Sequence, residues 1–163
     1  MRLARYPDSV CTKRLPCRSP ISYSFAAPAD KDQIHRLLSD CELPTLYLHR
    51  HLKSFIVAKT AKKVVGVIGM EIYGRAGLLR SLCVQEAYRG RGIAKMLNAM
   101  ILAYASIQKI GRLYMFTVNA EKFASNLGFH KIDKKRIPKS IQSTWQFRSF
   151  KPCPVVCMMK PID

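Results

Sequence analysis

Residues Leu78 to Lys95 read LLRSLCVQEAYRGRGIAK, and the order of this stretch decides the fold. A mostly apolar run, Leu78 to Val84, has the composition of a buried strand. Gln85 to Tyr88 form a short polar turn, and Arg89-Gly90-Arg91-Gly92-Ile93-Ala94 lead into a helix. A strand, a basic glycine loop and a helix N-terminus in that order make an anion cradle. The first N–H groups of a helix have no partner within it, and the helix dipole favours negative charge there. Gly90 and Gly92 let the backbone approach a phosphate without a Cβ in the way. Arg89 and Arg91 offer charge-assisted hydrogen bonds. The spacing is neither G-x-x-x-x-G-K-[ST] nor G-x-G-x-x-G. It reads [QR]-x-x-G-x-[GA], with Arg89 first, Gly92 fourth and Ala94 sixth.

Outward from the loop, the chain is regular from Ile21 onward. The pattern predicts a strand over Ile21–Ala27, a helix from Asp30 to about Cys41 and a short helix over Leu46–Leu52. Strands follow over Ser54–Thr60, Val64–Tyr73 and Ala76–Val84, an antiparallel meander. After the loop, Ile93, Met96, Leu97, Met100, Ile101 and Tyr104 recur at helical spacing, which marks core packing. Leu113–Val118 is apolar on both faces, as a central parallel strand is. A short helix over Ala120–Leu127, a strand over Phe129–Asp133, an irregular stretch Arg136–Ser149 with one helical turn, and a strand over Val155–Lys160 complete the chain.

That order over residues 21–162, together with the loop and the segment GRLYMFTVNAEKFASNLGF, resembles the GNAT superfamily of N-acetyltransferases. The resemblance implies an α/β fold with a mixed sheet whose fourth and fifth strands splay apart. It also implies acetyl-CoA as co-substrate, with its pyrophosphate on Arg89 to Ala94 and its pantetheine arm in the gap between the strands. LLRSLCV, IPKSIQSTWQF and PCPVVCMMK further resemble the N-acetyltransferases of arsenic-resistance operons, although Val155, Val156 and Cys157 depart from that subfamily's small residues after Cys-Pro.

Direct attack of an amine on a thioester, as the resemblance implies, needs no cysteine nucleophile. Cys83 is read as packing, and the backbone N–H groups of Leu82, Cys83 and Val84 as the donors that polarise the carbonyl. Glu71 is the candidate base, since Ala76–Val84 holds no carboxylate, with water-mediated deprotonation as the alternative. Many GNAT enzymes place a tyrosine acid where this chain has Ala124, and an asparagine toward the cofactor where it has Thr117. Arg80, which simple alternation puts on the opposite face from Ser81 and Cys83, is the candidate receptor for an anionic acceptor, with Arg75 and Arg148 as further cations. Glu42, between the first two helices, is a candidate acceptor contact. An acidic amino acid, or an arsenical or phosphinothricin-like analogue, is the acceptor class this suggests.

At 163 residues the chain is expected to be one domain over 21–163, preceded by a basic extension over 1–20. Lys and Arg total 28 against 10 Asp and Glu, a net charge of +18, which draws anions and polyanions. Two other functions remain open: a non-catalytic GNAT-like regulator or nucleic-acid binder, and a protein or peptide N-acetyltransferase. Nucleic-acid signatures are absent from the sequence, and no apolar run has membrane-spanning length. The six cysteines lack zinc spacing and are read as reduced thiols of a cytoplasmic protein. Cys153 and Cys157 are soft ligands for trivalent arsenic in principle, with packing the preferred role. The four histidines form no cluster, no metal is assigned, and a monomer or homodimer is expected.

Overall fold

The computed structural model describes residues 20–61, 63–149 and 154–162. Expectations for residues 1–19, including Cys11 and Cys17, and for Cys153 lie outside the described residues. Seven strands form one mixed sheet: β1 (Ser22–Phe25), β2 (Phe55–Lys59), β3 (Val64–Tyr73), β4 (Ala76–Val84), β5 (Arg112–Thr117), β6 (His130–Lys131) and β7 (Val156–Pro161). Their order across the sheet is β1-β2-β3-β4-β5-β7-β6. Only the β4–β5 pairing is parallel among the described strands. The connection between those two carries α3 (Ile93–Ile107), the crossover helix a parallel pair requires.

Side chains of the central strands alternate between two cores. On β2, Phe55 and Val57 join Ile34, Leu37 and Leu38 of α1 (Lys31–Asp40) on one face. Ile56 and Ala58 join Ile93, Leu97 and Ile101 of α3 on the other. Gly66 on β3 is what lets α3 lie so close. A Cβ there would sit 3.0 Å from Ile93 Cγ2 and 3.2 Å from Leu97 Cδ1. The buried stripe of α3 is Ile93, Leu97, Asn98, Ile101 and Ala105. It is turned slightly from the expected one, which leaves Met96 half exposed. A third cluster, with Leu78, Tyr114 and Cys157, is closed by Ile137 and Ile141.

Two departures from the sequence pattern shape the site. The stretch after β6 holds two helical turns, α5 (Lys139–Gln142) and α6 (Trp145–Ser149), rather than one. The expected sixth strand shrinks to His130–Lys131. Before the meander, the second helix, α2, covers Leu48–His51 and continues as a 3₁₀ turn to Ser54.

The reading of all cysteines as reduced is corrected. Cys41, at the C-cap of α1, is disulfide-bonded to Cys83 of β4, 42 residues away. The packing of α1 against the sheet brings the two sulfurs together, a proximity that spacing along the chain does not reveal. Cys157 is free and buried, and burial pushes its thiol above the ordinary range.

Candidate active site

β4 and β5 pair only from Ala76↔Arg112 to Leu79↔Met115, although β4 runs on to Val84 and β5 to Thr117. Past Leu79 the strands part, while β5 stays paired with β7 along its whole length. The expected splay is therefore present. A register shift lies beside it on the other side of β4. Gly69 pairs with Arg80 and Val67 with Cys83, so Ser81 and Leu82 together oppose the single residue Ile68. This is a β-bulge, with Ser81 at a φ of 61°. Such a bulge re-aims the strand's N–H groups away from the ladder.

The gap opens into a cleft of about 480 Å³, walled by Leu82, Cys83 and Val84 on one side and Met115, Phe116 and Thr117 on the other. At its far end, a second hollow of about 400 Å³ is lined by Val84, Arg89, Gly90, Gly92, Ile93 and Ala94. Val84, Arg89 and Ala94 belong to both, so one trough runs from the parted strands to the start of α3. The N–H of Arg89 bonds Glu86 O at 3.0 Å, whereas those from Gly90 to Lys95 meet no acceptor among the described residues. α3 has no capping side chain and no acidic residue in its first turn. Gly90 and Gly92 take φ of 72° and 76°, the left-handed region glycine enters freely. The arginines brace the loop: Arg89 Nε donates to Val84 O (3.1 Å), and Arg91 Nη2 donates to Ala87 O (3.0 Å) while its guanidinium lies over the Tyr88 ring. Both arginines are otherwise exposed.

Thr117 is placed in the cleft, but its hydroxyl oxygen accepts from Ala120 N at 2.8 Å and so holds the entry to α4 (Glu121–Asn126). Ala124 lies fully buried in the cleft wall. Asn98 and Asn119 also line the cleft and were missed. The available signal for Asn98 was a polar residue four positions after Ala94 in the buried phase of α3.

On the opposite side of β4, a cavity of about 340 Å³ is lined by residues of α2, β3, β4 and α6, among them Arg50, His51, Glu71, Arg80 and Arg148. Arg80 also lines the cleft, so the two spaces meet at the bulge. The bulge corrects the alternation on β4. The extra residue brings Arg80 to the same face as Cys83, above Glu71. Arg80 Nη1 bonds Glu71 Oε1 at 2.5 Å, Nη2 donates to Pro44 O and Leu46 O at 3.1 Å each, and Nε donates to Ser81 Oγ. Four of the five guanidinium hydrogens are thereby engaged. Too few remain for a two-pronged grip on an acceptor's anion. Glu71 accepts from Arg80 and Gln146 at Oε1 and from the Tyr73 hydroxyl at Oε2. Burial, then the bond to Glu71, pushes the Tyr73 phenol far above its ordinary range, so it stays protonated. Arg148 lines this cavity, Arg75 lines neither space, and Glu42, exposed at a φ of 55°, lies outside both. His51 and Arg50, which the sequence did not single out, are brought in by α2.

Residues 51–131 match the acetyltransferase (GNAT) domain family. Over 92 residues the chain is 28% identical to an uncharacterized N-acetyltransferase of Chlorobaculum tepidum, spanning 56% of this chain and 59% of that protein. In fold it is similar to N-acetylglutamate synthase of Neisseria gonorrhoeae, solved with coenzyme A and L-arginine, at a TM-score of 0.74 and 18% identity, over 87% of this chain and 33% of that one. It is likewise similar to a Mycobacterium tuberculosis protein solved in complex with coenzyme A, at a TM-score of 0.73 and 20% identity, over 87% and 99% of the two chains. The chain thus spans about three fifths of the curated relative and a third of the synthase. Among the described residues no helix is long and apolar enough to cross a membrane, and none group as a metal site. The parted strands, the bulge and the uncapped helix N-terminus agree with these likenesses: the chain has the fold of the acyl-CoA N-acyltransferases, and its residues 51–131 are similar to a GNAT acetyltransferase domain.

Proposed function

We propose that this protein is an acetyl-CoA-dependent N-acetyltransferase acting on the primary amine of a small anionic acceptor, with residues 21–163 as its catalytic domain. The observation that carries the reading is the trough from the parted strands to the unpaired N–H groups of Gly90 to Lys95. A diphosphate fits that end, where backbone donors, the α3 dipole and the free edges of Arg89 and Arg91 converge. The pantetheine arm fits the gap, beside the backbone of Leu82, Cys83 and Val84. There the displaced N–H groups polarise the thioester carbonyl as charge develops on its oxygen.

The acceptor belongs in the cavity on the far side of Arg80. Arg50, Arg80 and Arg148 outnumber the single carboxylate, Glu71, so an acceptor with a carboxylate or another oxyanion is favoured. Arg50 and Arg148 have no carboxylate partner among the described residues. Glu71, with both oxygens already accepting, holds Arg80 and faces the ammonium. An acidic amino acid, or a phosphinothricin-like or arsenical analogue, is the acceptor class. Ser143, Trp145 and Gln146, from the segment that carries the arsenic-resistance resemblance, line this cavity and support that choice. Both spaces are built from one chain, which suits a monomer or a homodimer. The reading includes a cytoplasmic setting.

Equilibrium binding of acetyl-CoA tests the cradle, with Arg91→Glu/Gly92→Glu as control. The double variant is expected to lose at least about tenfold in affinity, since two carboxylates face the phosphates and one sits at a strained φ. Equal binding by parent and variant overturns the assignment. A coenzyme A release assay over acidic amino acids, their phosphinic and arsenical analogues, polyamines and peptides then identifies the acceptor. The net charge of +18 supports a second reading as a polyanion binder. Salt-dependent nucleic-acid binding without thiol release on any amine favours it.

A further inference from the structure

We propose that His51 is the catalytic base that takes the proton from the acceptor's ammonium, an inference that rests on the acetyltransferase reading above. His51 closes α2 and lines the acceptor cavity with its ring half-buried. It has no hydrogen-bond partner among the described residues, so both ring nitrogens remain for an acceptor. The other titratable groups of the cavity are committed. Glu71 accepts three hydrogen bonds. Tyr73 is a donor to Glu71 and holds its own proton. Arg50, Arg80 and Arg148 carry guanidinium groups, which donate hydrogen bonds and accept none.

The groups facing His51 favour its neutral form. Burial lowers its affinity for a proton first; Glu71 raises it, and Arg80, Arg50 and the neighbouring His49 lower it again. The imidazole is therefore displaced below its ordinary range near 6.5 and is an unprotonated acceptor at neutral pH. The same three guanidiniums disfavour a fourth positive charge in the cavity, so the ammonium is made easier to deprotonate.

The balance is that of amide formation. An ammonium and an acetyl thioester give an amide, a thiol and one proton. His51 takes one proton from the ammonium and passes it to water at the open mouth of the cavity. The nitrogen lone pair forms the C–N bond as the C–S bond breaks. The second N–H proton goes to the departing sulfur. No side-chain acid is required at the position Ala124 occupies.

The test uses the acceptor found in the coenzyme A release assay. In the parent, kcat/KM rises with pH through an acid limb that reports His51 losing its proton, with an apparent pKa below the ordinary imidazole range. His51→Gln is expected to lose about a hundredfold or more in kcat/KM and to lose that limb, with acetyl-CoA affinity within about twofold of the parent. In His51→Ala, added imidazole restores part of the rate. Retention of acetyl-CoA binding shows that either variant is folded. Turnover by His51→Gln within about threefold of the parent and with the same acid limb overturns His51 as base while leaving the acetyltransferase intact. Acetyl-CoA binding with no turnover on any amine, or no acetyl-CoA binding, instead overturns the acetyltransferase reading beneath it.

Discussion

Arg80 and Glu71 are opposite charges in contact with their side chains only 4% and 6% exposed. Removing one partner leaves the other charged and buried without compensation. Glu71→Gln or Arg80→Met is expected to destabilise the fold by about 3–5 kcal/mol, while Glu71→Leu/Arg80→Met falls well short of the sum. Urea denaturation of the parent, both singles and the double measures this coupling, and additive losses would show that the pair is not one unit. The sequence named both residues but not their partnership. Strict alternation sends Arg80 to the wrong face, and only the extra residue at Ser81–Leu82 turns it onto Glu71. Bulges leave no reliable trace in side-chain pattern, so this part of the site was not legible. His51 was hidden for a related reason. It reaches the cavity through the packing of α2, and a lone histidine in a four-residue helix carries no periodic signal.

At the scale of elements, apolar pattern and turn chemistry agree, and there the reading was close. β3 and β4 match their expected bounds residue for residue, bracketed by turns the sequence marks with Lys63 and Gly74. α3 begins at Ile93 because Gly92 turns the chain at its N-cap. What the pattern left out was the reason β3 carries Gly66. The glycine sets how near the start of α3, and with it the anion cradle, lies to the sheet. Gly66→Val is expected to destabilise by about 1–3 kcal/mol, because the added methyls overlap Ile93 and Leu97. It should also weaken acetyl-CoA binding, since the helix yields at the end that holds the loop. Adding Ile93→Ala frees volume on the facing side and is expected to recover part of the stability. Thermal unfolding and acetyl-CoA titration of the single and double variants read both effects. A Gly66→Val protein of unchanged stability would mean that α3 sits farther from β3 than described. The last third of the chain was least legible, because α5 and α6 are single turns that no window of helical period resolves.

Over the whole molecule, the neighbourhood of β2, β3, β4 and β5 followed from the meander and the parallel crossover, while the insertion of β7 between β5 and β6 did not, nor did the Cys41–Cys83 bridge, which joins residues 42 apart through tertiary packing alone. Charge is the property that belongs to no single element. Twenty-eight basic residues against ten acidic ones exceed what one pyrophosphate and one 3′-phosphate require. Among the described residues only three ion pairs neutralise any of it. A field of this sign acts before contact, by steering anions toward the trough, and salt screens it over about 10 Å at 0.1 M. Once acetyl-CoA is seated, short hydrogen bonds from the loop N–H groups are less affected. The association rate for acetyl-CoA is therefore expected to fall by about tenfold or more between low and physiological salt, with the dissociation rate changing far less. Stopped-flow binding over a salt series separates the two rates. A flat association rate would mean that the field is not directed at the trough, and the excess charge would then have to answer to some other polyanion.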